Sequence, residues 1–557
     1  VISADRASAA IVQDGLITAA VEEERFNRQK LWHGVPRQSI DWVASTLPGG
    51  WRNIDAVATH DGTDLDQNRQ PYFDIVAQRI RAAAIDEATK ESQEKFLWDK
   101  FTYTERVITE RDPSFIRAIE AYGKPVIRVP HHLAHAASAY FTSGWDECYA
   151  LTADGWGTDA SSILARCKSG RITTIASSHY LDSLGYFYGS ITKYLGFKPH
   201  RHEGKVLGLA AHGNPDLLAP VMRRMIGFDS QQKTFRGFIE NGIYRPSFDN
   251  PNLPRYLASY SREDIAAAAQ RVLEEVVLAY VRALVPAGSK LCLAGGIFAN
   301  VRLNEKILAL PNIAAVYIFP NMGDGGLSAG AALYHTAQQQ PLTPCALPHV
   351  YLGPTYADHT IEHSLTAKHL MYTKPADLAD AVARLLADGH LVARYNGPME
   401  YGPRALGNRS ILYRADDPSV NDWLNKLLQR TEFMPFAPVT LAEHADQHFD
   451  LPKNVRFPTQ FMTITCACTD RARREVPGVV HRDGTARPQL ITQQNNPTYY
   501  GILKRYFALT GNPTLINTSF NMHEEPIVCT PDDAIRSFLA AKFKYLAIGP
   551  YLATKDV

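Results

Sequence analysis

Apolar and polar positions along the chain fall into two repeating patterns. Residues 7–21, ASAAIVQDGLITAAV, place apolar runs on either side of Asp14-Gly15, which predicts a strand, a tight turn and a second strand. The same grammar returns at residues 161–177, SSILARCKSGRITTIAS, with the turn at Ser169-Gly170. Each is preceded by a short polar segment, Ala4-Asp5-Arg6 in one case and Asp154-Gly155-Trp156-Gly157 in the other. A strand–turn–strand unit that recurs some way along a chain implies an internal duplication.

Helical spacing follows. AHAASAYFTS after Pro130 predicts a helix, and residues 265–285, IAAAAQRVLEEVVLAYVRALV, predict a longer one. KLCLAGG and AAVYIFP predict buried strands that end at glycine loops, the second at NMGDGG. Strands that stop in Gly/Asp loops before helices put ligand sites at the carboxyl ends of a sheet. Residues 336–354 are rich in Gln and Pro and predict a linker. After it the helix PADLADAVARLLADG opens a second alternating pattern. The expected class is therefore α/β in two domains, 1–345 and 346–557.

Composition narrows this only slightly. At 557 residues the chain exceeds a single core, since domains of roughly 100–250 residues are usual. With 58 basic and 57 acidic side chains the net charge is +1, which argues against a broad nucleic-acid footprint and leaves small anions held by local clusters. The seven cysteines include no CxxC pair, and Cys466 and Cys468 are expected in the core. Such a sparse, odd set suits a reducing compartment. No apolar run approaches the ~18 residues of a membrane span, and no signal peptide is visible. A cytoplasmic protein without membrane attachment is expected, with a homodimer as the default assembly.

Several residues could carry chemistry. His131 and His135 sit at the start of the predicted helix, and positions i and i+4 share a face, so both can point at one metal. Histidines hydrogen-bonded to backbone would give the same spacing. Two carboxylates in glycine loops, Asp154 in ADGWG and Asp324 in MGDGG, are either turn formers or oxygen ligands to the same ion. A set of two histidines and carboxylate suits iron, among others. The loops Gly155–Gly157, Gly295-Gly296 and Gly323–Gly326 would let backbone N–H groups approach an oxyanion. In the second half, GPMEYGPRALGNRS places Arg404 and Arg409 among glycines, DGTARPQ offers Arg487, and NTSFNMHEEP offers Ser519 and Asn521. Arginine in a glycine loop matches a phosphate bidentately.

These segments together resemble the O-carbamoyltransferase family that tailors antibiotics and nodulation factors. The likeness is carried by EEERFNRQK (22–30), PHHLAHAASA (130–139), DGWGTDASS (154–162), HEGKVLGLAAHG (202–213), GGIFANVRLN (295–304), NMGDGGLSAGAAL (321–333), GPMEYGPRALGNRS (397–410), TEFMPFAPV (431–439), DGTARPQ (483–489) and NTSFNMHEEPIVCTP (517–531), in order along almost the whole chain. The resemblance implies a duplicated ribonuclease-H-like N-terminal domain of the actin/sugar-kinase superfamily and a YrdC-like C-terminal domain. It implies that carbamoyl phosphate and ATP, the latter with Mg2+, become carbamoyl-adenylate in the YrdC-like domain. The carbamoyl group then passes to a hydroxyl or amine of a small-molecule acceptor at a site bearing Fe2+ or another divalent metal. By the same likeness His131, His135, Asp154 and Asp324 hold the metal. Lys30, Glu203, the Gly295-Gly296 loop and Asn300 contact the nucleotide or acyl phosphate. Arg404, Arg409, Arg487, Ser519 and Asn521 form the anion site.

The chain departs from that pattern where relatives carry a presumed basic His in the opening loop. Alignment on Ala7-Ser8-Ala9-Ala10 puts Asp5 there beside Arg6, a pairing that favours the charged, weakly basic carboxylate. Asp5 is the expected proton acceptor unless the acceptor is already activated or another residue serves. Met434 and Leu428 stand where some relatives carry cations. Two other readings remain at this level: a component of tRNA threonylcarbamoyl transfer, and a non-catalytic protein that binds nucleotide and metal.

Overall fold

The computed structural model describes residues 6–60, 69–106, 112–157, 159–429 and 434–555, so the predicted proton acceptor Asp5 lies outside the described residues. The chain divides into two compact units. One holds the residues up to Leu16 together with His33–Ala346, and the other holds Ile17–Trp32 together with Leu347–Val557. The expected division into 1–345 and 346–557 misses this crossing of Ile17–Trp32, because no break in composition marks it.

The first unit is built on a mixed five-stranded sheet in the order Ile313–Ile318, Ser289–Ala294, Glu147–Gly157, Ala160–Lys168, Arg171–His179. The first three strands are parallel, and the last two return antiparallel through the turn at Ser169 (φ 49°) and Gly170 (φ 74°). Leu291, Cys292, Leu293 and Ala294 are all buried, because helices cover both faces of a parallel strand and leave no polar alternation. Parallel pairing also fixes where the strands stop. Ala294 lies opposite Thr152 and Ile318 opposite Leu293, so the loops carrying Asp154, Gly295-Gly296 and Asp324 leave one edge of the sheet together.

One helix packs on the sheet beside that edge, and a second packs on the first. His131–Phe141 starts after Pro130, whose fixed φ and missing N–H suit a helix entry, and it buries His131, His132 and His135. Leu327–Gln339 begins three residues after Asp324. Gly330 lets the two backbones meet, since a Cβ there would lie 1.9 Å from the carbonyl oxygen of Ala134. Ser8, in the strand Ser8–Gln13, donates to the Gly325 carbonyl at 2.9 Å, and its Oγ pairs with the Ser328 hydroxyl at 2.8 Å, which ties the N-terminal strand to the Asp324 loop.

The second unit holds an eight-stranded, mostly antiparallel sheet in which Val392–Tyr395, Arg409–Arg414 and Thr514–Ser519 are consecutive neighbours. Period-two alternation is complete and both faces are buried. Val392, Leu412 and Leu515 pack with Leu386, Tyr499 and Leu503 on one face, while Ala393, Ile411 and Ile516 pack with Ile361, Ile535 and Phe538 on the other. Leu428 is buried in the second of these cores, which explains an apolar side chain at that position. The segment Ile17–Trp32 belongs here by specific contacts. Ala20 donates to the Leu352 carbonyl at 3.0 Å, and Arg28 donates to the carbonyls of Ile527 (2.8 Å) and Pro526 (2.7 Å). Arg25 pairs with Glu22 and Glu24 and donates to the Gly402 carbonyl, while Phe26 packs on Met399, Ala405, Ile527 and Cys529. Among the described residues no helix is long and apolar enough to cross a membrane.

The close approach at Gly330 gives a direct test. Gly330→Ala forces the His131 helix and the Leu327 helix apart, and is expected to cost about 1–3 kcal/mol as an overpacking change. A thermal melt beside the parent protein reads this, and an unshifted transition would contradict the backbone contact.

Candidate active site

His131, His135, Asp154 and Asp324 each offer one ligand atom, and these four atoms lie within 4.8 Å of one another. His135 Nε2 is 3.3 Å from Asp154 Oδ2 and 3.5 Å from Asp324 Oδ1, and His131 Nε2 is 3.9 Å and 3.8 Å from the same oxygens. Separations of this size surround a point roughly 2.0–2.5 Å from each atom, near the ~2.0–2.2 Å of a divalent first-row metal to imidazole and carboxylate. Of the atoms that face one another, His131 Nε2, His135 Nε2 and Asp324 Oδ1 are buried without a hydrogen-bond partner. Leaving such atoms unpaired costs roughly 1–3 kcal/mol each, so the arrangement is economical only around a cation. The residues fit a divalent metal.

The electrostatics point the same way. Burial would lower the His135 pKa, but the carboxylates of Asp154 and Asp324 outweigh it and hold the ring up to about 9. Burial would raise Asp154, but the neighbouring His131 and His135 rings outweigh it and keep its carboxyl well below the usual range. In the absence of metal, a proton on His135 takes the cation's part.

The surroundings hold Asp154 and His131 in place. Gly155 N–H donates to Asp154 Oδ1 at 2.7 Å and Gly296 N–H to Asp154 Oδ2 at 3.3 Å, so the predicted glycine loop orients a carboxylate. Gly295, at φ 98°, approaches so closely that a Cβ would lie 2.2 Å from the Ala153 carbonyl oxygen. Gly157 makes room for His131, whose Cδ2 would otherwise be 2.4 Å from a Cβ. His132 bonds to Thr152 Oγ1 (2.8 Å) and to the Ala160 carbonyl (3.0 Å). The carbonyl can only accept, so Nε2 of His132 carries the proton and Nδ1 takes the threonine hydroxyl. This ring pins the helix to the sheet. Burial, then the neighbouring His131 and His135, hold it neutral.

Two of these roles were not legible beforehand. His132 has no distinguishing spacing. His60 follows the strand Val57–Thr59, and its ring lies 5.5 Å from that of His131 with Nδ1 buried and unpaired. Burial and then His131 keep His60 well below the usual histidine range, so it is neutral. A signal existed: T-H-D-G at 59–62 repeats the grammar of T-A-D-G at 152–155.

The other predicted residues are placed unevenly. Glu203 starts the helix Glu203–Ala210 and accepts from the His200 N–H at 2.7 Å, and burial raises its pKa. Asn300 caps the helix Val301–Leu308, accepting from Leu303 N–H at 3.1 Å, and its amide donates to Gln270 at 2.8 Å. Lys30 is exposed in the segment that joins the second unit. In that unit Glu400 Oε1 accepts from the N–H groups of Leu406, Asn408 and Arg409, while Tyr351, Gln489 and Asn517 donate to the carbonyls of Leu406 and Ala405. The arginine loop is thus held from both sides. Arg409 is fully buried, donates to the carbonyls of Pro354, Asn396, Gly397 and Asn408, and stacks 3.8 Å from the Tyr395 ring centroid. It shapes the loop, whereas Arg404 and Arg487 are partly exposed. Ser519 ends a strand opposite Ser410, and the Asn521 amide donates to the carbonyls of Met522 and Glu525.

The sequence matches the descriptions "Carbamoyltransferase N-terminus" over residues 2–333 and "Carbamoyltransferase C-terminus" over residues 383–555. It is 32% identical to nodulation protein NolNO of Sinorhizobium fredii, over 98% of this chain and 78% of that one. It is 31% identical to nodulation protein U of the same species, over 92% and 91%. A solved structure of full-length HypF in its phosphate- and nucleotide-bound form matches 31% of this chain and 21% of that one at 16% identity, with a TM-score of 0.23, too low to argue from.

Two outcomes test the site. Gly157→Ala pushes on His131 and is expected to weaken divalent-metal binding about 10–100-fold, the usual effect of disturbing a ligand's support, read by calorimetric titration of the metal-free protein. Folding raises the His135 pKa from 6.5 to about 9. In metal-free protein its contribution to stability is therefore whole below pH ~6.5 and lost as pH rises through about 9. Metal competes with that proton, so its affinity should climb over the same interval, and a pH-independent affinity would contradict the pairing.

Proposed function

The chain belongs to the carbamoyltransferase family, and from that premise we propose that it activates carbamoyl phosphate with ATP and carries the carbamoyl group to a hydroxyl or amine of a small molecule. In this reading the first unit has the duplicated ribonuclease-H-like arrangement and the second the YrdC-like one. Water releases phosphate from carbamoyl phosphate, and the resulting carbamate oxygen attacks the α-phosphorus of ATP. A P–O bond breaks, pyrophosphate leaves and carbamoyl-AMP forms. A hydroxyl oxygen of the acceptor then bonds to the carbamoyl carbon, the C–O bond to AMP breaks, and the hydroxyl proton is lost to a base.

A carbamoyl carbonyl is a poor electrophile because its nitrogen donates into it, and adenylation supplies the leaving group it lacks. Arg404, on a loop held from both sides, and Arg487 serve the anionic substrates, and Arg409 keeps the Arg404 loop in shape. The observation that carries the transfer half is the convergence of His131, His135, Asp154 and Asp324 within 4.8 Å. These four residues would hold iron or another divalent ion, which supplies Lewis-acid stabilisation of developing negative charge. Around them the glycine loops orient Asp154, His132 fixes the helix, and the neutral His60 stands beside His131. The proton acceptor is Asp5 by position in the sequence.

Incubation of iron-loaded protein with ATP and carbamoyl phosphate should produce carbamoyl-AMP and ATP–pyrophosphate exchange, and absence of both would refute the reading. Arg404→Ala is expected to raise KM for the anionic substrates about tenfold or more, as loss of a charge-assisted contact does, with little change in melting temperature. Arg409→Ala should instead lower the melting temperature, since it strands buried carbonyls at roughly 1–3 kcal/mol apiece.

A further inference from the structure

The helix Glu87–Arg106 turns one stripe toward the body of the first unit: Gln93, Leu97, Lys100 and Thr104, at i, i+4, i+7 and i+11. Gln93, Leu97 and Thr104 are buried. The Gln93 amide donates to the carbonyls of Ile239 (2.9 Å) and Tyr244 (3.0 Å), and Arg245 Nε donates to Gln93 Oε1 at 2.5 Å. The helix is therefore fixed two turns before Lys100.

At Lys100 this buried stripe carries a cation. Its Nζ lies 4.5 Å from the Tyr186 ring centroid, 5.5 Å from that of Trp156 and 5.9 Å from that of Tyr103, and donates to Tyr186 Oη at 3.1 Å. Among the described residues no carboxylate pairs with it, and burial lowers its pKa to about 8. Enclosing an ammonium without a counter-ion is unfavourable, and cation–π attraction offsets only part of that cost. A leucine or methionine would hold the same stripe without it. Thr104 Oγ1, one turn on, is likewise buried without a partner.

This cage adjoins the candidate metal residues. Trp156 is two residues beyond Asp154. Ser183 caps the helix that carries Tyr186 and donates to the carbonyls of Asp154 (3.1 Å) and Gly155 (2.7 Å). A Cβ on Gly185 would lie 2.5 Å from the Gly155 nitrogen, so helix and loop are in backbone contact. Tyr103 is 43% exposed, and Lys100 and Trp156 are partly exposed, which leaves the cage open to solvent. Arg106 adds a second positive charge 5.9 Å from the Tyr103 ring.

Resting on the reading of this unit as the place of transfer, we propose that Lys100 with Tyr103, Trp156 and Tyr186 forms the acceptor subsite, and that the acceptor is a hydroxylated small molecule bearing a carboxylate. The carboxylate takes the ammonium, the rings cover an apolar face, and the hydroxyl is left toward Asp154. One enclosed ammonium matches the single charge of a carboxylate, whereas a dianionic phosphate ester is better met by several cations together.

Ligand-observed NMR on the full-length protein tests this with two carboxylates, 4-hydroxybenzoate and D-glucuronate, and their neutral counterparts, 4-hydroxybenzamide and D-glucose, with phenyl phosphate as the third arm. At least one carboxylate should bind the parent protein and bind Lys100→Met ~10-fold more weakly or worse, the size of a lost charge-assisted hydrogen bond. The neutral counterparts should not distinguish the two proteins. Binding of neither carboxylate, equal binding to both proteins, or tighter binding of phenyl phosphate would overturn the proposal. Removing the buried charge should leave the melting temperature of Lys100→Met no lower than the parent's, and a fall would show a structural lysine instead. Formation of carbamoyl-AMP by the parent protein is scored separately. Its absence defeats the two-stage reading, while carbamoyl-AMP without carboxylate binding defeats the subsite alone.

Discussion

Two imidazoles and two carboxylates meeting in a buried space set the terms for the first unit. Four polar atoms from three separate chain segments converge there, several of them without a hydrogen bond. Their mutual repulsion and desolvation are relieved only by a positive charge at the centre, whether metal or proton. The nearby structure serves that convergence. Parallel pairing brings the ends of three strands to one edge, Gly330 lets the histidine-bearing helix lie against the helix that follows Asp324, and Gly157 leaves space for an imidazole. His132 does not face the cluster, yet its two hydrogen bonds decide where its neighbours point.

The second unit solves a different problem with the same economy. A loop that is to present an arginine must not collapse on it. Glu400 collects three backbone N–H groups, Tyr351, Gln489 and Asn517 collect carbonyls, and the buried Arg409 collects four more. Two arginines five residues apart thus differ in kind. One completes the loop's own hydrogen bonding and the other stands partly exposed on it. A substitution series that treated them as equivalent would confuse fold with binding.

Much of the local structure was legible in the sequence because it depends on near neighbours. The turns at Asp14-Gly15 and Ser169-Gly170, the helix after Pro130 and the long helix Arg262–Leu284 follow from periodicity and from residues tolerant of positive φ. The strand-end grammar of T-A-D-G and M-G-D-G singled out Asp154 and Asp324, and the i, i+4 spacing paired His131 with His135. The repeat of that grammar at T-H-D-G also marked His60, which went unread because one histidine after a short strand has no partner in sequence.

What the sequence determined by itself, then, was the family and the elements with the clearest periodicity, since both reside in local pattern and in ordered motifs along the chain. What only the tertiary structure decided was the use made of each polar residue. Arg409 and Arg404 sit in the same glycine-rich motif, and burial separates them. Lys100 occupies an unremarkable helical position until Trp156 and Tyr186 close around it, and Ile17–Trp32 looks like part of the first unit until Arg28 finds the carbonyls of Pro526 and Ile527. The physical reason is common to all three. The free energy of a charged side chain is set by its distance to partners remote in sequence and by the water it has lost, and neither quantity is encoded by its immediate neighbours.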